Sequence, residues 1–242
     1  MAWVLRGLVA GLVAGFLAGL LALGIAEPSI DRAIAFEELQ AAQSHAAGEP
    51  HVHDEGGGLT VSREGQKAGL VLATALWGVA LGLVLALAFA AVRTRVAGAR
   101  AGATALLVAG GLFLALVLVP FLKYPPSPPG VGDPETIGRR TVLYLAMVGI
   151  SAAALAAAAQ IARRVPPRLG PLTRPVAGGA AFCAIAATAA ALMPSVAEIP
   201  HDFPADLLWD FRLSSLITQV ALWGVLGAVF AVLADRARAP GG

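Results

Sequence analysis

Three of the four histidines in this 242-residue chain, His45, His51 and His53, lie within nine residues of one another. His51 and His53 are two positions apart, so in an extended segment both imidazoles would point to the same side. With Asp54 or Glu55 they would offer nitrogen and oxygen ligands suited to cobalt, nickel, copper or zinc. The pattern therefore leaves two interpretations, transient metal capture or a solvated loop that happens to contain imidazoles.

A second group of oxygen-bearing side chains follows the last apolar segment. Asp206, Asp210, Ser214 and Thr218 recur at every fourth residue, with Gln219 beside them. On a helix this spacing keeps the four side chains close to one face. They predict an oxygen-lined stripe that leads into the apolar segment. The alternative is that the hydroxyls bond back to their own helix and the aspartates only favour its first turn.

The composition decides what kind of element must position these residues. Hydrophobic residues make up 58% of the chain, charged residues 13%, and the mean hydropathy is +0.78, which predicts an integral membrane protein. The single cysteine, Cys183, excludes an intramolecular disulfide or a thiolate cluster. A metal site would use oxygen and nitrogen ligands.

Six apolar runs are long enough to cross a hydrocarbon core of about 30 Å. They predict one all-α, polytopic membrane domain, a helix bundle spanning 1–242. The first run is interpreted as a retained helix and not as a signal peptide. The six predicted helices cover about 7–26, 68–92, 101–122, 141–162, 175–193 and 213–234.

The arginines and lysines predict the orientation of these helices. Ten of the seventeen lie at the N-terminus, in two short turns and in the tail, which places both termini in the cytoplasm. Fourteen of the fifteen carboxylates and all four histidines then fall in the outer loops 27–67, 123–140 and 194–212. Such an outer face would attract cations. Alternatively, acidic residues are merely tolerated there.

Gly7, Gly11, Gly15 and Gly19 form a small-residue ridge on the first helix. Glycine at every fourth position lets another helix approach closely. The partner is either a neighbouring helix of the same bundle or a separate single-span protein.

The motifs of several function classes are absent from the sequence. It contains no P-loop, no HExxH and no GxSxG, so neither ATP hydrolysis nor another enzymatic activity is predicted. The basic residues are spread over short loops, which argues against nucleic-acid binding. No permanently bound cofactor is expected.

A family resemblance runs from the first helix to the last. It is carried by five strings: RGLVAGLVAGFLAGLLA, EPSIDRAIAFEE, HVHDEGGGLTVSREGQKAGL, KYPPSPPGVGDPETIGRRTVLY and EIPHDFPADLLWDFRLSS. With these strings the chain resembles the CbtA family, a predicted cobalt transporter subunit that in many bacteria accompanies a single-span, histidine-bearing partner called CbtB. The resemblance implies Co²⁺ uptake across the cytoplasmic (inner) membrane, often linked to cobalamin biosynthesis.

Carried onto this chain, the family strings indicate candidate metal ligands in each outer loop, and Glu37, Glu38 and Glu198 also lie in them. We expect an ion to be captured there and passed through the helices without ATP hydrolysis by this chain. A rival hypothesis is a scaffold subunit that does not transport and docks a metal-delivering partner or permease. The predicted metal ligands are His51, His53, Glu27, Asp31, Glu135, His201, Asp202, Asp206 and Asp210.

Overall fold

The computed structural model describes residues 1–46, 62–95, 99–128, 131, 136–196, 199 and 203–237. Every regular element in this part of the chain is helical, which confirms the predicted all-α class. The elements are α1 (Ala2–Ile25), α2 (Glu27–Ala46), α3 (Arg63–Arg93), α4 (Ala101–Phe113), a π-helical turn (Leu114–Leu118), α5 (Val119–Lys123), α6 (Ile137–Arg164), a 3₁₀ turn (Pro167–Leu169), α7 (Thr173–Leu192) and α8 (Ala205–Arg236).

Six helices in the described part are long and apolar enough to cross a membrane, as predicted: α1, α3, the continuous helix Ala101–Lys123, α6, α7 and α8. Two of them are longer than their apolar runs. At 1.5 Å per residue, the 31 residues of α3 and the 32 of α8 extend about 46 and 48 Å, well beyond a core of about 30 Å. Their polar first turns therefore project beyond the hydrocarbon region.

The chain divides into two compact units. Unit 1 contains Met1–Ala105, Ser127–Val131 and Ile199–Gly242, and unit 2 contains Leu106–Pro126 and Gly132–Glu198. The first boundary between the units, after Ala105, falls inside α4. The single membrane domain expected from the sequence stays a prediction.

Unit 1 is built on direct backbone contact between α1 and α3. A Cβ atom at Gly7, Gly11 or Gly15 would overlap the carbonyl oxygen of Gly82, Gly78 or Thr74, respectively. The two helices run antiparallel and approach this closely only because glycine lacks a side chain. The ridge is therefore occupied by a helix of the same chain. Our suggestion that it docks a separate CbtB-like subunit is wrong, and the alternative of close packing within the chain is correct.

The neighbouring alanine ridge of α1 is also buried, and α8 is the other helix that packs extensively against α1. At the N-terminal end of α1, Trp3 makes an edge-to-face contact with Phe89 of α3, which makes another with Phe230 of α8. The guanidinium of Arg6 lies 4.9 Å from the centre of the Trp3 ring. Aromatic packing thus joins three helices at this end of unit 1.

The junction between α1 and α2 is tighter than the sequence predicted. In the sequence, Pro28 predicts an end to the first helix because proline disfavours helical backbone in the residue before it, and the spacing of Ile30, Ala33 and Ile34 predicts a short amphipathic segment. Instead, α1 ends at Ile25, and the 20-residue α2 begins at Glu27 with Pro28 in its first turn. Proline is tolerated there because N–H groups in the first turn of a helix have no acceptor within the helix, so the N–H that proline lacks is not needed.

Apolar contacts hold α2 against the beginning of α8. Ala33 of α2 is almost completely buried with Phe203 and Leu207, and the rings of Phe36 and Phe203 meet edge to face at 5.5 Å. These contacts place the first two turns of α2 beside the first turns of α8.

Unit 2 has an alanine-rich core in which α6 packs on α7 and on the π-helical turn. Within that turn, the N–H of Val119 donates to Leu114 and not to Ala115, and Pro120 has no N–H to offer. The Ala115 carbonyl is therefore left without its helical donor. The buried Ser151 hydroxyl of α6 lies 2.5 Å from this carbonyl and 2.6 Å from the Met147 carbonyl of its own helix, so its single proton can be donated to Ala115 in place of the helical donor.

The other buried hydroxyl of unit 2 also binds a carbonyl. Tyr124, just after α5, donates to the carbonyl oxygen of Pro194 at 2.8 Å. Burial raises the pKa of Tyr124 above its ordinary value, at which the hydroxyl is already a proton donor at neutral pH.

Candidate functional site

One end of unit 1 collects charged side chains from three helices, and we call it the charged end. It is defined by Glu27, Asp31 and Arg32 of α2, Arg63 of α3 and Asp210 of α8. The tight α1–α2 junction and the long first turns of α3 and α8 bring these residues together.

Glu27 and Asp31 are four residues apart on α2, so their carboxylates share one face of the helix. Arg63 binds both of them, with its Nη2 atom 2.9 Å from Glu27 Oε2 and 2.5 Å from Asp31 Oδ1. Arg63 Nε also donates to Asp31 Oδ1 at 3.2 Å, and Nη1 donates to Gln66 Oε1 at 2.9 Å. The Ser62 hydroxyl accepts the Gly65 N–H and caps α3, which fixes the helix start that carries Arg63.

Glu27 is only 6% exposed, whereas Asp31 and Arg63 are partly open to solvent. A buried carboxylate without a cation would be strongly unfavourable, so Glu27 requires a positive group at this position. The two carboxylates carry two negative charges and Arg63 carries one positive charge. The arrangement can therefore exchange one cation for another.

A second ion pair joins α2 to α8. Arg32 Nη2 lies 2.9 Å from Asp210 Oδ2, and both side chains are about half exposed. Arg32 also donates to the Ser29 hydroxyl at 3.4 Å and to the Pro28 carbonyl at 3.3 Å. Because these groups are exposed, the pair contributes little to stability.

The Arg32–Asp210 pair stands at a groove of about 200 Å³ between α2 and α8. Ser29 and Ser214 on its wall are almost completely buried. The groove therefore offers hydroxyl oxygens beneath an exchangeable ion pair. Its lining residues are Ile25, Pro28, Ser29, Arg32, Asp210, Leu213, Ser214 and Ile217.

The four residues of the predicted stripe lie on one helix, α8, but the described hydroxyls of the stripe bond within that helix. The Ser214 and Ser215 hydroxyls both donate to the Phe211 carbonyl, at 3.0 and 2.7 Å, and the Thr218 hydroxyl donates to the Ser214 carbonyl at 2.9 Å. The hydroxyl protons are thus used within α8, as the alternative interpretation stated. Their oxygen lone pairs can still accept a hydrogen bond or bind a cation.

The remaining predicted ligands divide into two groups. Asp206 is exposed in the first turn of α8, one turn before Asp210, and forms no ion pair among the described residues. His51, His53, Glu135, His201 and Asp202 lie outside the described residues, as does Glu198, and the structure does not describe the Glu37 side chain. Across the described ranges, no three His, Cys, Asp or Glu side chains come close enough to hold a metal ion. The described site is a carboxylate pair with a resident arginine.

Sequence reasoning missed both arginines of the charged end. Arg32 and Arg63 belong to the minority of basic residues on the predicted acidic side. Basic residues on the side where the positive-inside rule expects few of them often serve as counter-ions to acidic groups, so their position could have predicted this role.

The helices and the charged end define the class of the molecule: a multi-pass α-helical membrane protein with arginine–carboxylate ion pairs at one end of unit 1. A family model for CbtA, described as a probable cobalt transporter subunit, matches residues 1–235, and the chain belongs to this family. Comparisons with curated proteins and with solved structures gave no match.

Proposed function

We propose that this chain admits a divalent transition metal ion, with cobalt as the first candidate, through the cytoplasmic membrane. The charged end of unit 1 would face outward and receive the ion. The observation that carries this proposal is the binding of Glu27 and Asp31 to a single guanidinium, supported by the family description.

The first step is the replacement of Arg63 by the metal ion. A divalent cation would balance both carboxylate charges, whereas Arg63 balances only one. Carboxylate oxygen and imidazole nitrogen are suitable ligands for Co²⁺. Since Arg63 and Asp31 are partly exposed, the guanidinium has a route into water when it is displaced.

His51 and His53 are proposed to complete the capture. His53 precedes Ser62 by nine residues, and a fully extended segment of this length reaches about 30 Å. An imidazole on this tether can therefore reach the Glu27–Asp31 pair. We expect weak and exchangeable binding by the two histidines.

The route inward would lead from this pair to the groove at Asp210. Displacement of Arg32 would open Asp210, with Ser29 and Ser214 beneath it. Glu135, His201, Asp202 and Asp206 are assigned to concentrating cations at the outer face, where a negative field raises the local cation concentration.

The membrane potential can drive the ion without ATP hydrolysis by this chain. Entry of a divalent ion into a cell that is negative inside is favoured by about 4.6 kcal/mol per 100 mV, twice the value for one charge. We propose no enzymatic activity and no permanently bound cofactor. A single-span partner, where one binds, would have to use a surface other than the glycine ridge of α1.

Cobalt accumulation in cells that express the chain tests this proposal. Glu27→Gln and Asp210→Asn should each lower accumulation at least about tenfold, as removal of a charged ligand weakens binding strongly. His51→Ala should lower it less, because the histidines only assist capture. The matched control is Glu64→Gln, a change of an exposed carboxylate next to Arg63.

Membrane levels of each variant would be measured alongside accumulation. Unchanged accumulation in both Glu27→Gln and Asp210→Asn, at wild-type protein levels, would remove these carboxylates from the mechanism.

A further inference from the structure

Two buried polar atoms inside α8 are not used by the outer site. Among the described residues, Gln219 Oε1 and Trp223 Nε1 have no hydrogen-bond partner. The whole Trp223 side chain is enclosed, with 4% of the residue exposed.

Both groups lie near the middle of the membrane. The apolar part of α8 runs from 213 to 234, between Arg212 and Asp235, so Trp223 is at its centre. At 1.5 Å per residue, Gln219 is about 6 Å nearer the charged end, and Asp210 is about 13 Å beyond Gln219. The two groups thus extend the polar positions of α8 to mid-depth.

Gln219 and Trp223 share a face of α8. They are four residues apart, and Leu226 and Phe230, both fully buried, continue the same face. Side chains at this spacing have Cβ atoms about 5–6 Å apart. The side chains that carry the unpaired acceptor and the unpaired donor are therefore neighbours on one face of α8.

The chemistry of the two groups identifies their ligand. An indole N–H can only donate and an amide oxygen accepts, and buried groups of both types normally have partners. In a bilayer core an unsatisfied polar group is especially unfavourable. A water molecule accepts from Trp223 and donates to Gln219. If the amide is turned to present Nε2, water can still accept from it.

We propose that Gln219 and Trp223 form an internal water site at the mid-depth of the membrane, where a passing divalent cation exchanges ligands with Gln219 Oε1 and this water. The role in cation passage rests on the proposed function, whereas the presence of water at the site is independent of that function.

Labelling of introduced cysteines tests whether the site is open to the water phase, as ligand exchange with a passing cation requires. In a Cys183→Ser background, Gln219→Cys is compared with Leu226→Cys, deeper on the same face, and with Val220→Cys, which faces lipid. A small membrane-impermeant cationic methanethiosulfonate added to sealed vesicles should modify Gln219→Cys at least about tenfold faster than either control, because thiolates form only in contact with water. Equal rates at all three positions would overturn the proposal.

A second measurement does not depend on the folding of the cysteine variants. The chain has four tryptophans, so its ¹⁵N-indole spectrum is simple, and the resonance lost in Trp223→Phe identifies Trp223. A cross-peak between this indole proton and water is expected. Its absence under conditions where Trp209, which is exposed before the apolar part of α8, shows one would contradict the water site.

Cobalt influx into vesicles tests the cation role separately. Gln219→Leu should slow influx severalfold, and Gln219→Asn, which keeps the amide, should restore most of it. Influx that is the same in wild type and Gln219→Leu would overturn the exchange step. Failure of the proposed function would look different, since wild-type vesicles would then admit no cobalt even though Gln219→Cys is labelled rapidly.

Discussion

The two compact units differ in one kind of buried polar group, the carboxylate. Unit 1 encloses a carboxylate, Glu27, and holds it with a cation from another helix. The described buried hydroxyls of unit 2 each bind a backbone carbonyl. Ser151 binds the Ala115 carbonyl, which lacks its helical donor, and Tyr124 binds the Pro194 carbonyl in the loop after α7. The buried hydroxyls Thr104 and Ser214 of unit 1 also bind backbone carbonyls, so among the described residues the difference lies in the buried carboxylate, which needs a cation beside it.

The packing of the units differs in the same sense. Glycines bring the α1 and α3 backbones into contact in unit 1, while alanines and Phe182 fill the core of unit 2. Four sets of variants test this contrast, in order of their expected effect on stability.

The largest effect is expected from Gly11→Ala. The added Cβ would overlap the Gly78 carbonyl, and the two helices would have to separate, which should lower the free energy of unfolding by about 3 kcal/mol. The control is Gly179→Ala in unit 2, where the added methyl meets open space and alanine favours the helix by about 0.5–1 kcal/mol. Thermal unfolding in detergent measures both, and equal Tm values would contradict the packing account.

Arg63→Gln should lower Tm by a smaller amount in metal-free buffer, because Glu27 then stays buried without its cation. Saturating CoCl₂ should raise the Tm of this variant about twice as much as that of the wild type, since the metal no longer competes with a resident guanidinium. Lys67→Gln, one turn along α3, is the control. A cobalt response no larger than that of the wild type would argue against cation exchange at Glu27 and Asp31.

Ser151→Ala should lower the free energy of unfolding by about 1–2 kcal/mol, because the Ala115 carbonyl loses its donor. Cobalt uptake should be unchanged, since this hydroxyl belongs to unit 2. Thr188→Ala serves as the control, because Thr188 is exposed and bonds only within its own helix. Loss of uptake in Ser151→Ala, at normal protein levels, would show that the contrast between the units is incomplete.

The smallest effect on stability is expected from Arg32→Gln, less than about 0.5 kcal/mol, because the pair with Asp210 is half exposed. The same variant should lower the cobalt concentration needed for half-maximal uptake, as Asp210 loses its resident cation. Arg32→Lys keeps a positive charge and should resemble the wild type. An increased half-maximal concentration in Arg32→Gln would mean that Arg32 assists the ion and does not compete with it.

The six spans were predictable because each consists of about twenty apolar residues, a length fixed by the bilayer. The glycine spacing of α1 likewise predicted close packing, but not that Gly11 meets Gly78, since spacing does not specify the partner helix. The Arg32–Asp210 pair joins residues 178 positions apart. Local patterns carry no information on such a pairing, which depends on the α1–α2 junction and on Ala33 packing against Phe203.

Cobalt influx into vesicles that contain only the purified chain tests the central claim most directly. With a cobalt-quenched dye inside and a potential negative inside, wild-type vesicles should quench rapidly, and Glu27→Gln vesicles should resemble protein-free ones. Quenching should also increase with the imposed potential, because the ion carries two charges. Wild-type vesicles that quench no faster than protein-free vesicles would contradict transport by this chain and would favour the scaffold hypothesis.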